Sequence, residues 1–392
     1  MSKKKKSKSN RKVGVLIGGS GLIGGTLAHY FKTKTPDEIE IRAPSSKKLS
    51  IRNAGDIRDY LKRVKPDFLI NTAIANIGSD AQLALEVNYF GTLNLARAAA
   101  AMNIPYIHLS SAATLPMGEN LSEDQQLEIT PDLNNYSKSK LMAETTLHHM
   151  YKHEGLDYTG IRLAVVYGDH DHKIQGFHRM LFTIADESMP FLFTKKGVAH
   201  SYSNASKLPY FIHHILKNRE EFSGEVFHFV DKNHVELSEL ILVIKSYLNL
   251  SLPREIFVPF SFAKVGQKSL SLLLKGLTKI GLHASLPAEI MFLESFYKTQ
   301  TLSSEKLARS SYVDPRPAET IFTMLPNLVR YYLDRWTHQN ILSTFSDEIV
   351  NPCRKDMPFF DNPKELLKSV HTDSIKPFVE LLDLKEKKEE KM

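Results

Sequence analysis

VGVLIGGSGLIGG, residues Val13–Gly25, runs from a short apolar segment straight into a cluster of glycines. Gly18, Gly21 and Gly24 are spaced GxxGxxG, and Leu22–Phe31 behind them reads as a helix. Glycine at a strand-to-helix joint serves three purposes: a tight turn, close approach of backbone N–H groups to a pyrophosphate, and close packing of helix on sheet. The helix N-terminus adds partial positive charge. The stretch therefore predicts a dinucleotide site built from Gly18, Ser20, Gly21, Leu22, Ile23 and Gly24, against the plainer reading of a glycine-rich turn. The lysines just upstream also give it the outline of a signal peptide. Six glycines and no clear small-x-small cleavage site favour a buried strand instead.

Outward from this loop, short apolar runs alternate with helical stretches. Val13–Ile17, Ile39–Ile41, Phe68–Ile70, Tyr106–Leu109 and Ile161–Val166 read as strands. Leu22–Phe31, Ile57–Val64, Ala81–Ala101 and Tyr136–His153 read as helices. Such alternation predicts an α/β fold, a doubly wound parallel sheet of the Rossmann type, with ligands at the carboxyl ends of the strands. Past residue 168 the alternation weakens: a last strand is expected at 225–230, then a helix near 238–248, then a largely helical stretch over 253–345 punctuated by prolines. The expected division is a disordered basic tail (1–12), a dinucleotide-binding domain (13–168), a smaller, mostly helical substrate domain interleaved with it (169–345) and an extension (346–392).

The residue that reads the adenosine ribose should end the second strand, about 18 residues past the last glycine, and that position is Arg42. An acid there would suit NAD, whereas a basic residue, with Ser45, Ser46, Lys47 and Lys48 close behind, leans towards NADP. The plain alternative is a solvated loop. In NNYSKSKLMAE (134–144), Tyr136 and Lys140 share one helical face. A nearby ammonium is expected to lower the tyrosine pKa towards working pH. Tyr30 and Lys34 match the same YxxxK spacing but end the first helix and are a chance hit. Tyr136 gains weight from SSAAT at the end of the fourth strand, where the Ser111 hydroxyl can hold a substrate oxygen.

With these pieces in place, the sequence resembles the extended short-chain dehydrogenase/reductases, the NAD-dependent epimerase/dehydratase group. The matching segments are IGGSGLIGG, KPDFLINTA, EVNYFGTLNLARAA, HLSSAAT, NNYSKSKLMAE and RLAVVYG, in the family's order over residues 13–168. KPDFLINTA is similar to dTDP-4-dehydrorhamnose reductases. The resemblance implies Tyr136 as acid/base, Lys140 as its partner and ribose ligand, and Ser111 as the hydroxyl that orients substrate. It implies Asn71 and Ala73 on the nicotinamide side, and Asn88 as a brace for the sheet. Arg42 departs from the family's usual acid, and HSYSNASKLPYFIHHIL lacks the aspartate pair that many relatives carry there.

Composition bounds the alternatives. Lys plus Arg is 51 against 44 Asp plus Glu, a formal charge of +7. The first twelve residues hold seven positive charges and no acid, so residues 13–392 sum to zero. A nucleic-acid-binding domain needs a basic face on its folded body, so none is expected. The single cysteine, Cys353, excludes a disulfide framework and a Cys-rich zinc site. His170 and His172 in GDHDHK are ligand types, but adjacent loop positions seldom converge on one ion, and no metal is expected. Lys264, Lys268, Lys275 and Lys279 fall on one face of a helical projection of 262–282, opposite Phe262, Leu270, Leu273, Leu277 and Ile280. That pattern fits a helix at a membrane surface, and equally a soluble helix with its lysines in water. The leading expectation is an NAD(P)-dependent oxidoreductase interconverting a ketone and a secondary alcohol, on a lipophilic or lipid-linked substrate. A nucleotide-sugar epimerase, dehydratase or reductase, with Arg254, Arg309 and Arg316 as diphosphate ligands, is the alternative, and a non-catalytic regulator the third. The expected place is the cytoplasm or the inner face of a membrane, reached through the tail and 262–282, with a homodimer left open.

Overall fold

Six parallel strands form the central sheet: β1 (Lys12–Ile17), β2 (Ile39–Arg42), β3 (Phe68–Asn71), β4 (Tyr106–Ser111), β6 (Tyr158–Leu163) and β11 (Glu225–Phe229). Their spatial order is β2-β1-β3-β4-β6-β11, so the chain order reverses between β1 and β3. The computed structural model describes residues 11–186, 191–192, 197–250, 254–255, 259–266, 269 and 296–339. Helices α1 (Leu22–Lys34), α2 (Ala54–Val64), α3 (Ala81–Ala84), α4 (Thr92–Met102) and α5 (Asn135–Glu154) connect the first strands, with α6 (Gly176–Ala185), α7 (Leu208–Lys217), α8 (Arg219–Phe222) and α9 (Leu237–Tyr247) beyond. One apolar cluster, including Leu27, Phe31, Phe211 and Ile212, fills one face of the sheet. Another, including Leu61, Leu95, Leu147 and Met150, fills the other. Burial on both faces is why the strands read as continuous apolar runs.

The remaining strands are short: β5 (Gly118–Leu121), β7 (Val165–Tyr167), β8 (Phe191–Leu192), β9 (Ala199–His200), β10 (Tyr202–Asn204), β12 (Val235–Glu236), β13 (Arg254–Glu255) and β14 (Gln300–Leu302). β14 lies between β5 and β9 in a four-stranded sheet. A third apolar cluster joins Phe177, Leu240 and Ile244 to Tyr332 and Trp336 of a long helix, Ile321–His338.

Several expectations change in detail. The strand expected over Ile161–Val166 divides into β6 and β7, and β7 leaves the main sheet to pair with β10. The helix expected over Ala81–Ala101 is interrupted by a π-helical segment, Leu85–Gly91. The tail expected over 1–12 gives its last two residues to the fold, since Lys12 opens β1 and Arg11 pairs with Glu40 at 2.6 Å. The stretch 253–345 contains β14, and Pro326 sits inside the Ile321–His338 helix rather than ending one. The helix expected at 262–282 lies outside the described residues except for 262–266 and 269, where Phe262 and Val265 are exposed. Among the described residues no helix is long and apolar enough to cross a membrane.

Candidate active site

The glycine loop follows β1 at the point where the strand order reverses, the position at which open α/β sheets bind ligands. Gly18 has φ +84°, a region where a side chain is strained. A Cβ on Gly24 would lie 2.1 Å from the Gly18 carbonyl oxygen, so only glycine fits there. Gly21 is the N-cap of α1 and supplies no side chain to cap it, and the first turn of α1 carries no acid. Its leading N–H groups are thus left for an anion. The loop after β3 lies against this turn: the Thr72 N–H and hydroxyl both donate to the Ile17 carbonyl, at 3.0 and 2.8 Å.

Asn71 and Asn88 differ from their expected roles. The Asn71 side chain is buried, donates to the Tyr106 hydroxyl at 3.0 Å and to Thr92 at 3.3 Å, and accepts from the Ala73 N–H at 3.1 Å. It therefore shapes the turn at the half-buried Ala73 from beneath. Asn88 accepts from the Ala75 N–H at 2.8 Å and donates to the Ser139 hydroxyl at 3.1 Å. It ties the loop after β3 to α5 rather than bracing the sheet. It does so from within the π-helical segment, an irregularity often found at functional sites. Arg42, at the carboxyl end of β2, is exposed, and its Nε donates to Glu40 at 2.9 Å. Arg42 and Arg11 together hold the Glu40 carboxyl below its usual pKa.

Ser111 ends β4, and Asn134 caps α5 by accepting from the Ser137 N–H at 2.8 Å. Together these elements bring Ser111, Tyr136 and Lys140 to one place. Tyr136 and Lys140 are buried, at 7 and 2 % exposure. The Ser111 hydroxyl lies beside the Tyr136 side chain, and Lys140 Nζ donates to the Leu109 carbonyl at 2.8 Å. The expected lowering of the tyrosine pKa is not what this arrangement produces. Burial raises it, and the Ser111 hydroxyl only partly opposes that rise. Burial brings Lys140 down to about 8, partly opposed by Glu144.

Sequence reading missed the layer beneath these three. Glu144, one turn beyond Lys140, forms a buried ion pair with Arg162 of β6 at 2.8 Å. It also accepts from Ser110, the neighbour of Ser111, and from Gln126 at 2.7 Å. Arg162 donates onward to the Glu123 carbonyl at 2.6 Å and contacts His228 at 3.3 Å. Two signals were present: a glutamate completing a four-residue spacing after Tyr136 and Lys140, and a lone arginine in the apolar run IRLAVV.

Other candidates are engaged elsewhere. His170 and His172 meet Tyr331 at 3.0 Å and Arg335 at 3.1 Å on the Ile321–His338 helix. Among the described residues no group of three or more metal-ligating side chains gathers. Arg316 bonds Ser206 and Glu319, and Arg309 bonds Glu305. The stretch lacking the family's aspartate pair places Lys207 between Asp231 and Asp314, at 3.8 and 2.7 Å.

The model of the NAD dependent epimerase/dehydratase family matches residues 15–189. Over that span the chain is similar to this family. N-acetyl-alpha-D-glucosaminyl-diphospho-ditrans,octacis-undecaprenol 4-epimerase of Escherichia coli O157:H7 is 24% identical over 314 residues, 77% of this chain and 90% of that protein. GDP-L-colitose synthase of Yersinia pseudotuberculosis is 28% identical over 139 residues, covering 34% of this chain and 44% of that protein. Among solved structures, dTDP-glucose 4,6-dehydratase of Bacillus anthracis with NAD superposes with a TM-score of 0.62 at 16% identity, covering 85% of this chain and 100% of that one. GDP-mannoheptose C4 reductase of Campylobacter jejuni with NADP gives 0.62 at 10% identity, covering 83% of this chain and 100% of that one. These superpositions show a shared fold that extends well beyond the 15–189 match.

Proposed function

We propose that this chain is a nicotinamide-dependent enzyme that interconverts a ketone and a secondary alcohol on a sugar carried by a diphosphate-linked lipid or nucleotide. The observation that carries the reading is the buried Tyr136 beside Ser111 at the carboxyl end of β4, one turn from the buried Lys140 that donates to Leu109 of that strand. The residues fit a dinucleotide: Gly18 and Gly24 allow a turn so tight that a Cβ on either would strike Thr72 or the Gly18 carbonyl, and the α1 N-terminus has no side-chain cap. The Gly18–Gly24 turn would hold the pyrophosphate, Ala73 would lie at the nicotinamide side and Lys140 would meet the ribose. When bound, the nicotinamide supplies or accepts the hydride.

In the reducing direction Tyr136, protonated at neutral pH because burial raises its pKa, gives its proton to the substrate oxygen. Ser111 donates to that same oxygen and fixes its place. A charged Lys140 supports the negative charge that develops on the tyrosine. In the oxidising direction the proton returns to Tyr136. The preferred cofactor is NADP, because Arg42 stands at the ribose end of β2 and Glu40, the nearby acceptor, is already held by Arg11 and Arg42. The carrier-linked sugar is supported by the substrates named for the undecaprenol-linked epimerase and the other relatives.

The test uses full-length protein, with NADPH or NADH for UDP- and dTDP-linked 4-keto-hexoses and with NADP+ or NAD+ for undecaprenyl-diphospho-N-acetylhexosamine. Turnover is expected on the panel with the NADP form preferred, and Tyr136→Phe should lose about 10²–10⁴-fold while still binding NADPH. Undiminished turnover by the phenylalanine variant would remove Tyr136 from the mechanism.

A further inference from the structure

The turn that follows Ser111 is held from a distant part of the chain. Ser111 Oγ accepts from the Ala113 N–H at 3.2 Å, and its carbonyl accepts from Thr114 at 2.9 Å, so the hydroxyl's direction depends on the path of residues 112–116. Gln300 closes on that path. Its side-chain amide donates to the carbonyls of Ala112, Leu115 and Pro116 at 3.2, 3.2 and 3.1 Å. An amide has two N–H bonds, so at least one is shared among the three acceptors. Leaving half-buried carbonyls unpaired costs more than a typical hydrogen bond contributes.

The position of Gln300 makes this contact a link between two regions. Its backbone registers with Gly118 of β5 on one side and with His200 of β9 on the other. Neighbouring residues repeat the pattern: the Gly118 N–H donates to the Thr299 carbonyl at 2.9 Å, and the Ser201 N–H donates to the Gln300 carbonyl at 3.2 Å. β5 continues from the Ser111 turn, whereas β9 leads through β10 towards the buried Lys207. A shift of β9 relative to the main sheet is therefore carried through β14 to the carbonyls behind Ser111.

We propose that Gln300 is a positioning residue for Ser111, through which the C-terminal part of the chain sets the geometry of the substrate oxygen. This rests on the catalytic reading above. Gln300 touches no reacting atom in this arrangement. It acts by holding the turn that aims the serine, and misplacement of an aligned group by about 1 Å can cost roughly 10²-fold in rate.

The experiment is a double-mutant cycle in the full-length protein, on whichever panel substrate turns over with NADPH. Gln300→Leu keeps the volume and removes both donors, and Gln300→Glu keeps the shape but faces three carbonyls with acceptors. Both should lower kcat by about tenfold to a hundredfold, with KM and NADPH affinity within twofold. In a Ser111→Ala background, Gln300→Leu should have no further effect on kcat. Hydrogen exchange should quicken in the peptide covering 111–117 in the leucine variant. Equal losses with and without Ser111, or unchanged exchange at 111–117, overturn the inference while leaving the enzyme reading intact. No turnover by the unaltered chain on any panel member overturns that reading, and this inference with it.

Discussion

Lys140 shows what one buried residue costs the fold for the sake of the site. Its ordinary pKa near 10.5 falls to about 8, burial being the larger cause. Between those values the unfolded chain holds a proton that the fold does not, so stability rises with pH across the window. Below about pH 8 the whole penalty stays in force, on the order of 3 kcal/mol before the hydrogen bond to Leu109 is set against it. Lys140→Met is therefore expected to raise the melting temperature of the cofactor-free protein at pH 7, to lose that gain by about pH 10.5, and to be inactive. Thermal unfolding at the two pH values checks this, and a lower melting temperature at pH 7 would count against it. The YxxxK spacing made Tyr136 and Lys140 legible in the sequence, because helical periodicity alone puts them on one face. The direction of the tyrosine shift was not legible. It depends on how much protein covers the ring, which no local spacing encodes.

At the scale of elements, α5 was readable because its ends carry their own chemistry. Asn134 caps the start, and Gly155, at φ +70°, ends it in the left-handed conformation. The π-helical segment was not readable, since Leu85–Gly91 has ordinary helix formers on both sides and the irregularity serves a tertiary contact from Asn88. The division of β6 from β7 was hidden for a similar reason: LAVVY runs apolar straight through the break, and only the partner strands differ. The Glu144–Arg162 pair joins these elements across the sheet, and removing one member leaves the other charge buried and uncompensated. Arg162→Met and Glu144→Gln should each destabilise by about 3–5 kcal/mol, and the double variant by less than the sum. Urea unfolding measures this directly. A loss under about 1 kcal/mol in both single variants would mean that the buried pair is solvated or repaired by neighbours.

At the scale of the whole molecule, interleaving of the two parts was expected, but the strand that does the joining was the least legible feature. A three-residue strand such as β14 has no alternation to detect, and its place between β5 and β9 is set by partners about 100 to 180 residues away in sequence. His228 is a second tie of this kind, and it is sensitive to acid. It lies wholly buried on β11, with Nδ1 at 3.2 Å from the Ser303 carbonyl and Nε2 at 3.3 Å from Arg162. The neutral tautomer with hydrogen on Nδ1 satisfies both contacts, and a proton on Nε2 would oppose the arginine. Burial, followed by Arg162, brings the pKa from 6.5 to about 3. Between those values only the unfolded chain takes the proton, so stability is lost as pH falls through the window, at up to about 1.4 kcal/mol per pH unit. Asp231 works in the opposite sense. Burial raises its pKa from 3.8 to about 6, so over that interval the fold holds the extra proton and gains stability on acidification. His228→Gln keeps a donor and an acceptor but cannot titrate, and should flatten the acid limb most clearly below about pH 3.8, where the Asp231 contribution has ended. Unfolding free energies from pH 7 down to 3 would show it, and an unchanged acid slope in the glutamine variant would rule His228 out as its source. Ser303 directly follows β14, so His228 ties the central sheet to the same strand that carries Gln300 to the Ser111 turn.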